Sequence, residues 1–385
     1  MAYTIFLAKL STFAFNYNKY MNKLTLLVAA LLSFVTSFSQ KDSVFVGFVQ
    51  KDSILFAGEH HFKNVIQLTN SGDNAEAYWS FDSKRITFQR TNPKEGINCD
   101  QIFMGIVPTN NTTPFTYKSI SGGMGRTTCS YFTKDGKHII YASTKGGSND
   151  CPPGVDRAKY GNKYIWPLYN TYDIYMADTN GVVVKQLTNA KGYDAEATLS
   201  YDGKKMIYCS DKDGDLELYV MDLKSGKEKR VTHALGYDGG AWFSPDGTKI
   251  VWRASRPSTV EEVTEYKTLL AEGMVAPTKM EVFVANADGS DAKQITHLGQ
   301  ANWAPNFTPD GKHIIFCSNH EYKRGFPFNM YLMDLEGNNI EKISRDKGFD
   351  AFPMFSPDGK RIMFSSNRNN GGTRDTNLFV ADWVE

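Results

Sequence analysis

Phe243-Ser244-Pro245-Asp246-Gly247, Phe307-Thr308-Pro309-Asp310-Gly311 and Phe355-Ser356-Pro357-Asp358-Gly359 are one pentapeptide pattern written three times, and its reading decides the fold. Proline pre-sets φ at the entry of a turn and glycine accepts a positive φ, so the flanking segments fold back as a hairpin. Weaker copies extend the series to six anchors, at Asp82, Asp135, Asp202, Asp246, Asp310 and Asp358; the first, Asp82-Ser83, lacks the glycine. Each anchor leads into a β-branched or apolar run such as His138-Ile139-Ile140-Tyr141 or Arg361-Ile362-Met363-Phe364. A second hairpin follows, with strands such as Asp173-Ile174-Tyr175-Met176 and Gln186-Leu187-Thr188.

Those runs are apolar on both faces, as a sheet stacked between two neighbouring sheets requires. Six repeats of four strands predict an all-β, six-bladed β-propeller. Its aromatic content of 13% and its 32 glycines agree with many strands and tight turns. An additional Val65-Ile66-Gln67-Leu68-Thr69 precedes the first repeat, and the chain stops after Asn377-Leu378-Phe379-Val380-Ala381. The spare N-terminal strand is therefore expected to complete the last blade and close the ring without a free edge. One short helix is expected inside an insertion at residues 258–277, with Ser258 or Thr259 as N-cap, Glu261 and Glu262 in the first turn, and Gly273 then Pro277 at its end.

The Ser-Pro-Asp-Gly turn, the strand like Asp173-Ile174-Tyr175 and the Gln-Leu-Thr strand together resemble the repeats of the TolB-like propeller family (PD40, related to WD40), over residues 54–385. The resemblance implies the fold firmly and the function weakly. The short stretch ahead of the spare strand has no room for the N-terminal α/β domain that TolB itself carries.

Near the start, Met21-Asn22-Lys23 precedes an apolar run from Leu24 to Phe38, and Ser37-Phe38-Ser39 offers small residues before a cut after Ser39. Residues 1–39 are read as an upstream extension plus signal peptide with the true start at Met21, residues 40–53 as an N-terminal segment, and residues 54–385 as the propeller. An apolar run of about 15 residues is short for a membrane span, and no cysteine sits at the cut to be lipidated. The expected location is the periplasm or the exterior. Cys209 and Cys317 fall at matching strand positions as small buried hydrophobes. An oxidising compartment would allow one bridge among Cys99, Cys129 and Cys151, with the pair left open by the sequence. Lys+Arg 43 against Asp+Glu 42 leaves a formal charge of +1, which gives no electrostatic reason to expect nucleic acid.

Blades two and four carry insertions of about 20 residues, at 146–169 and 258–277, both between second and third strands. The links between blades enter the same face, so the channel mouth there is the candidate site. Tyr193-Asp194-Ala195-Glu196, Tyr237-Asp238-Gly239 and Phe349-Asp350-Ala351 repeat an acidic pattern, in which each Asp could instead cap its own turn. Glu76, Arg126 and Glu196 break the pattern, and Arg253, Arg256, His320 and Arg368 join from the ends of second strands. With Asp194, Asp238 and Asp350, these residues would suit a polar or anionic ligand such as a sugar acid or a peptide carboxylate. Glu59 and His61 are the metal-ligand candidates, and Asp211-Lys212-Asp213-Gly214-Asp215 is a candidate calcium loop without the later glutamate; no resident cofactor is expected.

The leading function class is a binding or scaffold module for an envelope protein, glycan or peptide. The alternative is a lyase-like enzyme acting on acidic polysaccharide, which the family resemblance admits. The chain holds no Gly-x-Ser-x-Gly elbow for a serine hydrolase.

Overall fold

The computed structural model describes residues 45–46 and 54–385, apart from positions 111, 162 and 324. The proposed start, signal peptide and cut lie outside the described residues. Six antiparallel sheets follow one another along the chain, each running from the axis outward. Blade 1 begins with Asp73–Trp79, blade 2 with Thr127–Phe132, blade 3 with Asp194–Leu199, blade 4 with Asp238–Phe243, blade 5 with Asn302–Phe307 and blade 6 with Asp350–Phe355. The strand Phe62–Gln67 pairs antiparallel with Asn377–Trp383, so the N-terminal strand completes blade 6 and the ring closes as expected. Within the segment read as preceding the propeller, Phe45–Val46 adds a fifth strand to the outside of blade 1, in register with Tyr117 and Thr116.

The repeated turn works through side-chain chemistry as well as through proline and glycine. Ser244 Oγ donates to Asp246 Oδ1 at 2.5 Å, Thr248 N donates to the same oxygen at 3.0 Å, and Lys249 N donates back to Ser244 Oγ at 2.9 Å. Gly247 takes φ +72°; in the glycine-less first copy Ser83 takes φ +58° instead. The same Ser/Thr-to-Asp bond recurs at Asp82, Asp135, Asp202, Asp310 and Asp358.

Every innermost strand carries a bulge that breaks its register with the second strand. The bulged residue has a left-handed backbone in all six blades: Glu76, Cys129, Glu196, Gly240, Ala304 and Phe352. Below this ring, towards the Asp-Gly turns, Tyr78 and Tyr131 from blades 1 and 2 reach Trp242 of blade 4, at centroid distances of 5.1 and 5.0 Å. Side chains from non-adjacent blades thus meet on the axis and fill it, as a narrow ring of packed blades demands. Among the described residues no helix is long and apolar enough to cross a membrane.

The helix expected in the blade 4 insertion spans Val260–Ala271, with Thr259 as N-cap and a capping box to Glu262. A single helical turn, Arg157–Tyr160, adds to it in the blade 2 insertion. The two insertions join: Trp166–Pro167 pairs antiparallel with Met274–Val275, and Leu168 N donates to Gly273 O at 2.7 Å. Lys159 and Lys163 of one form ion pairs with Glu272 and Glu265 of the other. Tyr266 OH, on the helix, donates to Asp215 Oδ1 of blade 3 at 2.5 Å, so the joined insertions pass over that blade.

Candidate functional site

The bulge ring is polar on one side and apolar on the other. Cys129 Sγ and Tyr78 OH both donate to Glu76 Oε2, at 3.0 and 3.2 Å. Across the axis Arg253 Nη1 donates to Glu196 Oε2 at 3.0 Å, and Arg253 Nη2 to Tyr237 OH at 2.8 Å. Tyr193 OH and Tyr237 OH both donate to Glu196 Oε1. Gly240 belongs at the fourth bulge because a Cβ there would fall on the Arg253 guanidinium. Burial pushes the Glu76 carboxyl and the Cys129 thiol up, so the thiol serves as a hydrogen-bond donor rather than as a thiolate nucleophile. Burial opposes the Arg253 charge as well, but Glu196 and Tyr237 outweigh it and hold the guanidinium protonated.

Trp166, from the joined insertions, lies over this cluster, its ring 5.5 Å from the Arg253 guanidinium carbon. It leans on Trp303 at 5.4 Å, and Trp303 stacks on Phe328 at 4.6 Å. Phe328, Phe349 and Phe352 continue the aromatic layer to the apolar side of the ring. Two of its members face solvent, Tyr164 at 47% exposure and Phe326 at 64%.

Of the residues expected at the mouth, Glu76, Glu196 and Arg253 converge on the axis. Glu196 and Arg253 are buried and paired with each other beneath Trp166, while Glu76 is half-buried and held by Cys129 and Tyr78, so the open polar mouth expected from sequence is covered in part. Arg126 stays half-buried at the blade 1 to 2 link, with Nη2 2.6 Å from Asp100 Oδ2. His320 is half-buried, hydrogen-bonded to Ser318 Oγ at 2.9 Å and packed on Tyr331, and burial lowers its pKa.

Asp194, Asp238 and Asp350 begin innermost strands and turn into the blade rather than towards the axis. Arg256 Nη2 and Trp252 Nε1 both reach Asp238 Oδ1 at 2.6 Å, and burial still raises that carboxyl to about 7. The Arg368 side chain is 0% exposed, held by Asp350 at 2.9 Å and Glu59 at 3.0 Å. Arg256 and Arg368 are therefore spent on the acids beside them, because a buried carboxylate needs a partner within its own blade. Asp194 has no such cation among the described residues, only the hydroxyls of Ser210 and Thr188 beside it.

The metal candidates are likewise occupied. Glu59 accepts from Phe56 N, Arg345 N and Arg368, while His61 bonds Val384 O and Glu341 and stacks on Trp383. In the candidate calcium loop Asp211 accepts from Tyr193 N, Asp213 faces Tyr219 and Arg230, and Asp215 holds Tyr266, so the three carboxylates diverge. Cys99 and Cys151 form the disulfide, tying the blade 2 insertion to blade 1. Cys129, Tyr193, Tyr237 and Trp166 were not singled out from sequence as site residues. The repeated Tyr/Phe-Asp pattern held the signal for two of them, since its tyrosines, not its aspartates, face the axis.

Ring closure, six bulges and one decorated face define a six-bladed β-propeller. The family model described as TolB beta propeller domain matches residues 168–273 and 274–374, more than half of the chain, and the chain belongs to that family. No curated protein matches the sequence. Among solved structures it is similar to a putative TolB from Agrobacterium tumefaciens, at 19% identity and a TM-score of 0.52, over 82% of this chain and 91% of that one. It is also similar to TolB from Acinetobacter baumannii, at 19% identity and a TM-score of 0.52, over 79% of this chain and 64% of that one. At these identities the likeness is one of fold alone.

Proposed function

We propose that the chain is an exported binding module of the cell envelope, periplasm or exterior, which takes a protein or glycan partner on its insertion-bearing face. The observation that carries this reading is the solvent-facing aromatic pair, Tyr164 and Phe326, mounted on a rigid layer over a filled axis. Exposed rings on a fixed platform offer contact area at little entropic cost. Arg126 and His320 supply polar contacts at the rim. The apolar run at Leu24 to Phe38 and the Cys99–Cys151 bridge support export, since such bridges persist in oxidising compartments.

Glycan and peptide arrays probed with the wild type, Tyr164→Ala and Phe326→Ala test this reading. Each substitution should weaken binding by roughly 1–3 kcal/mol with little change in melting temperature. Lys249→Ala, beside an Asp-Gly turn, should leave binding unchanged. Equal loss from Lys249→Ala would remove the face assignment. An ultraviolet rise from unsaturated product on acidic glycans would replace the binding module with the lyase alternative.

A further inference from the structure

The outer edges of the six blades differ in how they are protected. An outermost strand presents unpaired N–H and C=O groups, and proteins blunt such edges with charge, brevity or cover. Blades 3, 4 and 5 end in the short polar strands Glu228–Arg230, Lys293–Gln294 and Glu341–Lys342. Blade 6 ends in Phe62–Gln67, whose Phe62, Val65 and Ile66 are buried. Blade 1 ends in Thr116–Ser119, which Phe45–Val46 covers by strand addition.

Blade 2 differs: among the described residues nothing covers its edge, and its outer strand is the one that leaves a run of apolar side chains exposed. Its outer strand Val183–Gln186 follows directly on Val182, and Val182, Val183 and Val184 are 61%, 37% and 52% exposed. Three lysines surround it without a carboxylate partner among the described residues. Lys118 Nζ donates to Asn180 in the adjoining turn at 3.1 Å, Lys145 Nζ sits 4.2 Å from the Tyr175 ring, and Lys185 lies in the strand itself. Tyr175 is the register partner of Gln186, so Lys145 belongs to the same edge.

We propose that the edge of blade 2 at residues 182–186 is a second binding site, where an extended apolar segment of a partner protein, flanked by acidic residues, adds as a fifth strand. Blade 1 shows that a blade of this propeller accommodates such an addition. Backbone bonds supply the docking, the valines pack against the partner's β-branched residues, and the lysines select acidic flanks. A second copy of this chain fits less well, because a strand of four residues buries far less than the roughly 1,000 Å² a stable dimer needs.

The test uses the whole protein and a fluorescent peptide of alternating valine and threonine with two glutamates at each end. The wild type should bind it and slow hydrogen exchange at residues 182–186. Val183→Lys, on an exposed edge, should keep the melting temperature and weaken binding by about tenfold or more. The double change Lys118→Glu and Lys185→Glu should turn the preference towards a lysine-flanked peptide. Equal binding by Val183→Lys, protection elsewhere in the molecule, or no binding by the wild type would overturn the proposal. So would a wild-type dimer in sedimentation that Val183→Lys dissolves, which would give the edge to a second copy.

Discussion

Replacing Asp194 by asparagine should stabilise this protein at neutral pH and leave it nearly unchanged at pH 4. Asp194 is buried at the junction of blades 2 and 3, and among the described residues no cation pairs with its carboxylate; Ser210 and Thr188 offer only neutral hydroxyls. Burial raises its pKa from 3.8 to about 6; Asp173 pushes the same way, and Ser210, Thr188 and Lys212 only soften the shift. At the two other junctions that place an aspartate at this point an arginine pairs with it, Arg256 with Asp238 and Arg368 with Asp350. Because the folded pKa lies above the unfolded one, the contribution of Asp194 is fully present below about pH 4 and is lost as pH rises through about 6. A rise from 3.8 to about 6 corresponds to roughly 3 kcal/mol, an upper bound once water entry and relaxation are allowed. Asparagine mimics the protonated form, so Asp194→Asn should gain roughly 1–3 kcal/mol at pH 7.5, or several degrees in melting temperature. Melting both proteins from pH 4 to pH 8 and plotting the difference tests this. A variant less stable than wild type at pH 7.5 would refute the reasoning and show that the carboxylate is needed charged.

Breaking the axial ion pair should be costly in one direction only. Arg253→Met should destabilise by about 3–5 kcal/mol, because Glu196 stays buried without its ion-pair partner, whereas the double change with Glu196→Gln should recover much of the loss in urea melts. Removing the Cys99–Cys151 bridge by paired serine substitutions, which frees a loop with a sequence separation of 52, should cost roughly 2–4 kcal/mol by the same measurement. Deleting residues up to Asn70 removes Phe62–Gln67 from blade 6, and light scattering should report aggregation through the exposed strand Asn377–Trp383.

What was legible in the sequence was what local chemistry encodes. The Ser/Thr-x-Asp-Gly turn closes within a few residues, the Thr259 to Glu262 box caps its helix without outside help, and the spare strand at Val65 has only one blade to complete. The bulge ring was hidden because only Gly240 of its six members advertises a left-handed backbone. Glu76, Cys129, Glu196, Ala304 and Phe352 adopt that backbone at the bulge where each innermost strand breaks register with its neighbour. The candidate site was half legible for a related reason. Sequence placed Asp238 with Arg256, and Asp350 with Arg368, at the same end of a blade, but their burial makes them each other's partners, with no charge left over for a ligand. The pairing of Trp166–Pro167 with Met274–Val275 joins segments far apart in the chain, and no local pattern in either announces the other.

That pairing also changes how the molecule should come apart. In a plain ring each unit feels only its two neighbours, and opening can spread from any seam one unit at a time. Here a tether runs from blade 2 to blade 4 and grips blade 3 on the way through Tyr266 and Asp215. Loosening any of these three units must first break contacts shared by all of them. Blades 2 to 4 should thereby behave as one cooperative block, to which the Cys99–Cys151 bridge adds blade 1, and partial opening should be left to blades 5 and 6.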